Sequence, residues 1–82
     1  MIMQNYYFTF GSSPLYPFGR DDYVMVTAPD MRTAVEIFQK HHPNRPGSNL
    51  VNCSDWYTED AFNAFRDKFY SGRGPIEILT GR

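Results

Sequence analysis

The residues best equipped for chemistry crowd into one stretch. Residues 41–48, His-His-Pro-Asn-Arg-Pro-Gly-Ser, offer two imidazoles, a carboxamide and a guanidinium around two prolines. Adjacent histidines at a helix end point apart and cannot share a metal as an i, i+4 pair does, so no metal site is predicted. One imidazole has an ordinary use at the carbonyl end of the preceding helix, where partial negative charge favours a cation. The other use, for His42, is a ligand contact. Pro43 and Pro46 restrict the loop between them and so reduce the entropy lost when it meets a ligand. Arg45 carries a planar fork suited to phosphate or carboxylate, and Asn44 a donor and an acceptor for a ribose or a base edge. Equally, Asn44 can close its own turn and Arg45 can pair with Asp55.

A second loop, residues 11–20 (GSSPLYPFGR), alternates Tyr16 and Phe18 with Pro14 and Pro17 and ends on Arg20. Such rings either stack a nucleobase, at roughly 1–3 kcal/mol per base, or fold under the loop as a satellite of the core. Trp56 and Tyr57 carry the same two readings, the ordinary one being a hydrophobic staple onto a following helix. Gly72-Arg73-Gly74 is too short for a phosphate loop and lacks the Lys-Ser/Thr ending, although Arg73 can still join a neighbouring pocket. Cys53 lies in an apolar setting without a cysteine-catalysis motif and reads as a small buried hydrophobe. Asp21-Asp22 and Glu59-Asp60 are adjacent pairs rather than an acid and a base in separate environments. No catalytic residue and no cofactor are therefore predicted.

These groups must be held by a small scaffold. Eighty-two residues, 41% hydrophobic and 17% aromatic, suffice for one domain whose seven Phe, six Tyr and one Trp offset its short length. A homodimer, which would bury further apolar surface, is expected. Eight Lys and Arg against nine Asp and Glu leave a net charge of -1, so long nucleic acid is disfavoured as a partner. The single cysteine excludes an internal disulfide and suits a reducing compartment. Met1-Ile2-Met3 runs at once into Gln4-Asn5 and reads as neither signal peptide nor bilayer span. The expected location is the cytoplasm, with no membrane partner.

Residues 5–10 (NYYFTF) and 22–28 (DYVMVTA) are β-prone and read as antiparallel neighbours joined by a long loop. Tyr6, Phe8 and Phe10 fall on one face of the first strand, the core face, and Asn5, Tyr7 and Thr9 on the other. Asp30 caps a helix whose Met31, Ala34, Val35 and Phe38 form an apolar stripe, and Pro43 ends it. Residues 49–53 read as a third strand. Thr58-Glu59-Asp60 starts a second helix with Ala61, Phe62, Phe65 and Phe69 as its stripe, and residues 76–79 form a last strand. The order ββαβαβ predicts an α+β domain spanning residues 1–82, one sheet with two helices on a single face.

Taken together, YYFTFG at 6–11, APD at 28–30 with TA at 33–34 and IF at 37–38, HPNRPG at 42–47, and NC at 52–53 followed by WYTE resemble a group of small, uncharacterised proteins. That group is encoded by phages and prophages of Gram-positive and gut bacteria. The likeness spans nearly the whole chain and brings no catalytic residues with it. It implies a setting, counter-defence, in which short phage proteins bind a host immune enzyme or sequester its nucleotide signal.

The expected function is thus a non-enzymatic sponge for a small nucleotide-like immune signal of the ADP-ribose type, acting in the host cytoplasm. Tyr16, Phe18 or Trp56 would stack the base, Arg45 would hold the phosphates, and Arg20, His42, Asn44 and Arg73 would complete the pocket. The alternative is a protein-binding inhibitor of a host defence complex. It would dock through Tyr7, Tyr23 and Tyr57 with Asp21, Asp22, Glu59 and Asp60.

Overall fold

A computed structural model describes residues 2–11, 16, 18–19, 21–43, 52–70, 72 and 74–80. The β-prone runs form strands β1 (Gln4–Thr9) and β2 (Tyr23–Ala28), paired antiparallel with Tyr6 opposite Val26 and Phe8 opposite Val24. Helix α1 (Met31–His41) follows, its first turn closed by the Asp30 side chain, which accepts from the Thr33 N–H at 2.8 Å. The anionic form makes that bond, and it holds the Asp30 carboxyl below its ordinary value. After α1 come β3 (Asp55–Thr58), two short helices α2 (Glu59–Asn63) and α3 (Arg66–Phe69), and β4 (Glu77–Thr80). The sheet order is β3-β1-β2-β4, with β1 antiparallel to both neighbours and β4 parallel to β2.

The α+β class is the expected one, but the helices do not share a face. Phe38 of α1 stacks on Phe8 at 4.5 Å between ring centroids, and Ala34 is fully buried on the same side with Tyr6, Val24 and Val26. Phe62 of α2 stacks instead on Tyr7, at 4.3 Å, on the other side, where it joins Tyr23 and Tyr70. Strand alternation explains the correction. β1 carries aromatics at both parities, so a layer on one face alone would leave either Tyr7 or Tyr6, Phe8 and Phe10 exposed on the other. The sheet needs a layer on each side, and Tyr7 is only 3% exposed.

Two boundaries also move. The third strand lies at Asp55–Thr58, where Trp56 pairs opposite Phe8 and Tyr57 opposite Tyr7. Of the expected segment, residues 49–51 lie outside the described residues and Asn52 and Cys53 form a bend. The expected long second helix breaks at Phe65, whose ψ of 3° departs from helical geometry. The break turns Tyr70 back onto Tyr23, at 5.2 Å, and leaves Phe69 61% exposed.

Thr58 caps α2 by accepting from the Ala61 N–H at 3.3 Å, and Tyr57, one residue before the cap, approaches Phe62 four residues after it, a staple. Thr58→Ala is expected to lower stability by about 1 kcal/mol, measured by urea denaturation; an unchanged midpoint would show that the cap contributes nothing. Among the described residues no helix is long and apolar enough to cross a membrane.

Candidate functional site

A concavity opens at the end of the sheet where β1 finishes and β3 begins, on the α2 side, with a volume of about 470 Å³. That size lies within the range of small-ligand pockets. Its floor is Thr9, a polar residue 6% exposed within an otherwise aromatic strand. The Thr9 hydroxyl donates to the Asp55 backbone carbonyl at 3.3 Å and lies within hydrogen-bonding reach of the Tyr57 and Tyr70 phenols.

The phenols hold their protons firmly. Burial raises Tyr57 above the ordinary phenol value, and the Asp55 charge adds to it. Burial likewise raises Tyr70, helped by Tyr57 and Asp21, with Thr9 opposing. Carboxylates stand at two points of the rim. Asp55 accepts from the Ser54 hydroxyl at 3.3 Å, and Asp21 enters from the approach to β2, next to a tight Gly19–Asp22 hydrogen-bond pair of 3.0 Å in each direction. The remaining wall is aromatic: Phe65 meets the edge of Tyr57 at 4.9 Å and Phe69 at 5.8 Å. No Lys, Arg or His is among the described lining residues.

The described ones among the sequence-predicted residues, Tyr16, Phe18, His42 and Trp56, are not in the lining. Arg20, Asn44, Arg45 and Arg73 lie outside the described residues, as does the suggested Arg45–Asp55 pair. Tyr16 and Phe18 pack onto Phe10, at 6.3 and 5.3 Å, the satellite cluster rather than a free stacking platform. Gly11 makes room for this, since a Cβ there would stand 3.1 Å from the Tyr16 ring. Phe18 lies edge-on to His42, the C-cap of α1, at 5.1 Å. His42 also reaches Glu77 of β4 at 2.6 Å, while His41 Nδ1 lies 3.0 Å from the Ile37 carbonyl, the helix-end use predicted for one imidazole.

Trp56 projects on the α1 side of edge strand β3, 43% exposed and outside the cleft. Tyr7 and Tyr23, expected as interface anchors, are 3% and 0% exposed and belong to the core; Tyr23 instead receives the Arg66 guanidinium at 3.1 Å. Cys53 is buried and its thiol is pushed up to about 12, chiefly by burial and then by the Asp55 charge, so it is no nucleophile at neutral pH. Thr9, Phe65, Phe69 and Tyr70 were not singled out as site residues from the sequence. The one signal available was a threonine inside an aromatic strand.

Fold and cleft together define a small α+β protein with a two-sided mixed sheet and an aromatic-walled recess at one end. No family model matches the chain, and neither a curated protein nor a solved structure matches it.

Proposed function

We propose that this chain is a non-enzymatic binding protein whose recognition site is the cleft between β1, β3 and the α2–α3 segment. One observation carries the reading: a concavity of about 470 Å³ in which Thr9 is bonded to the Asp55 backbone and whose wall is packed aromatic rings. A recess held in this way loses little side-chain freedom on binding. The phenols and the thiol nearby hold their protons, which suits recognition better than nucleophilic attack. In the setting that the phage resemblance implies, the protein would act by occupying a host immune component in the cytoplasm. Self-association as a homodimer belongs to the same proposal, supported by Ile76 and Ile78, 48% and 59% exposed at edge strand β4.

Titration of the isotope-labelled chain with a panel of nucleotides, amines and neutral amides, followed by amide NMR, tests the reading. A binding probe is expected to shift the amides of Thr9, Gly11, Ser54 and Tyr70. A panel that leaves all four unmoved would sink it. Capture of a nucleotide signal stands as the second reading, favoured by the Phe18–His42 contact, which brings together one residue from each of the two predicted ligand-binding stretches. In that case ADP-ribose would shift Phe18 and His42 and leave the cleft amides in place.

A further inference from the structure

The sheet has two edges, and they are not alike. At one, β3 carries the Asp55 charge and runs straight into the Thr58 cap of α2. Charged side chains are a usual means by which a sheet edge keeps another strand away. At the other, β4 and the isoleucine before it carry neither lysine nor proline. The single charge of β4, Glu77, is turned to the α1 side, where His42 engages it at 2.6 Å. Among the described residues no strand pairs with the outer side of β4.

The bonding of β4 to β2 decides what that outer side presents. The Tyr23 carbonyl accepts from the Ile76 N–H at 2.8 Å, so Tyr23 turns its backbone toward β4, and by alternation along β2 Met25 does the same. Met25 stands opposite Ile78, and the slanted bonds of a parallel ladder join it to the residues on either side, Glu77 and Leu79. The N–H and C=O of Ile78 therefore point outward. Its side chain lies on the α2 side with Met25 and is 59% exposed, and Thr80 follows on the same face, also exposed. Ile76, at the entry to the strand, is 48% exposed.

We propose that β4 pairs antiparallel with β4 of a second copy of this chain, about a two-fold axis at Ile78. The two sheets then become one, in the order β3-β1-β2-β4-β4-β2-β1-β3. A second copy is the occupant because the edge is complementary to itself. A two-fold axis at Ile78 sets that residue opposite its own counterpart, where the two exchange N–H···O=C bonds, and sets Ile76 opposite Thr80 of the second copy on either side. Every pair in that row is β-branched, a combination that cross-strand packing favours. Glu77 falls opposite Leu79, so the two carboxylates do not face each other across the join. A four-residue edge buries less than a standard interface, so the association is reversible. This inference rests on the self-association proposed above, to which it assigns a surface and a register, and is independent of the cleft.

Sedimentation of the full chain from about 1 μM to about 1 mM, with amide hydrogen exchange read by NMR toward both ends of that range, tests the pairing. The chain is expected to pass from monomer to dimer, and the Ile78 amide, open to exchange in the monomer, to slow at least tenfold in the dimer. Ile78→Lys should weaken association at least tenfold and leave the thermal melt of the dilute protein in place, because that side chain is exposed in the single chain. If this variant melts early, the exchange measurement on the unaltered chain decides. Trp56→Ala, at the opposite edge and 43% exposed, should associate as the parent does. Dimers that survive Ile78→Lys, that are lost in Trp56→Ala, or that leave the Ile78 amide exchanging freely overturn the edge pairing while self-association stands. A chain monomeric at every concentration removes both. Slow exchange of the Ile78 amide in the dilute monomer would also overturn the pairing, by assigning the edge to another segment of the same chain.

Discussion

Phe62→Ala is expected to destabilise the protein by about 3–5 kcal/mol, enough to leave a domain of this size largely unfolded near 37 °C. Phe62 is fully buried and ring contacts surround it: Tyr7 at 4.3 Å, Tyr23 at 4.9 Å, Tyr70 at 5.3 Å and Phe65 at 5.4 Å. Removing it empties the centre of the second core, and the remaining rings belong to four different segments that cannot all close on the gap. Phe69→Ala, in the same predicted stripe, should cost less than about 0.5 kcal/mol because that ring is 61% exposed. Urea denaturation followed by far-UV circular dichroism checks both. Comparable losses for the two variants would show that the α2–α3 segment packs as one continuous helix and that the break at Phe65 is wrong.

Alkaline pH is expected to unfold the protein ahead of the general effect of charge. The Cys53 thiol has an ordinary value near 9 and stands at about 12 in the folded chain. Folding therefore holds a proton that the unfolded chain releases. That contribution is complete below about pH 9 and is lost as pH rises toward 12, by at most about 1.4 kcal/mol per pH unit. Tyr7, Tyr57 and Tyr70 are shifted upward too, each chiefly by burial, so their contributions fall away in the same direction from about pH 10.

Urea midpoints at pH 7.5, 9 and 10 should decline, and Cys53→Ala, though less stable at pH 7.5, should decline less steeply. A wild-type midpoint flat to pH 10 would contradict the burial of the thiol. So would rapid labelling of Cys53 by a thiol reagent in the folded protein.

Much of the scaffold is legible in local chemistry. Aromatic and β-branched residues at 5–10 and 22–28 mark β1 and β2, Asp30 caps α1, and Ala34 and Phe38 line its buried side as their spacing requires. Thr58 and Tyr57 announce the start of α2 in the same way, as cap and staple. Signals of this kind act over three or four residues, so a single chain displays them.

The site is a different matter. The polar groups that converge there come from residues 9, 21, 55, 57 and 70, brought together by the pairing of β1 with β3 and by the turn after α3. Residues 41–48 look richer on the page because their functional groups are neighbours in sequence. Of these, His42 ends up against Glu77 and Phe18, while Asn44 and Arg45 fall outside the described residues.

By itself, the sequence determined an α+β domain, the starts of α1 and α2 and the burial of Cys53, because propensity, capping and burial tendency are properties of short segments. Only the tertiary structure decided that α1 and α2 lie on opposite faces, that Tyr7 and Tyr23 are core rather than surface, and that Thr9 ties two tyrosines into the floor of a cleft. Those outcomes depend on contacts between residues tens of positions apart, where the energy of covering both faces of one aromatic strand outweighs any local preference.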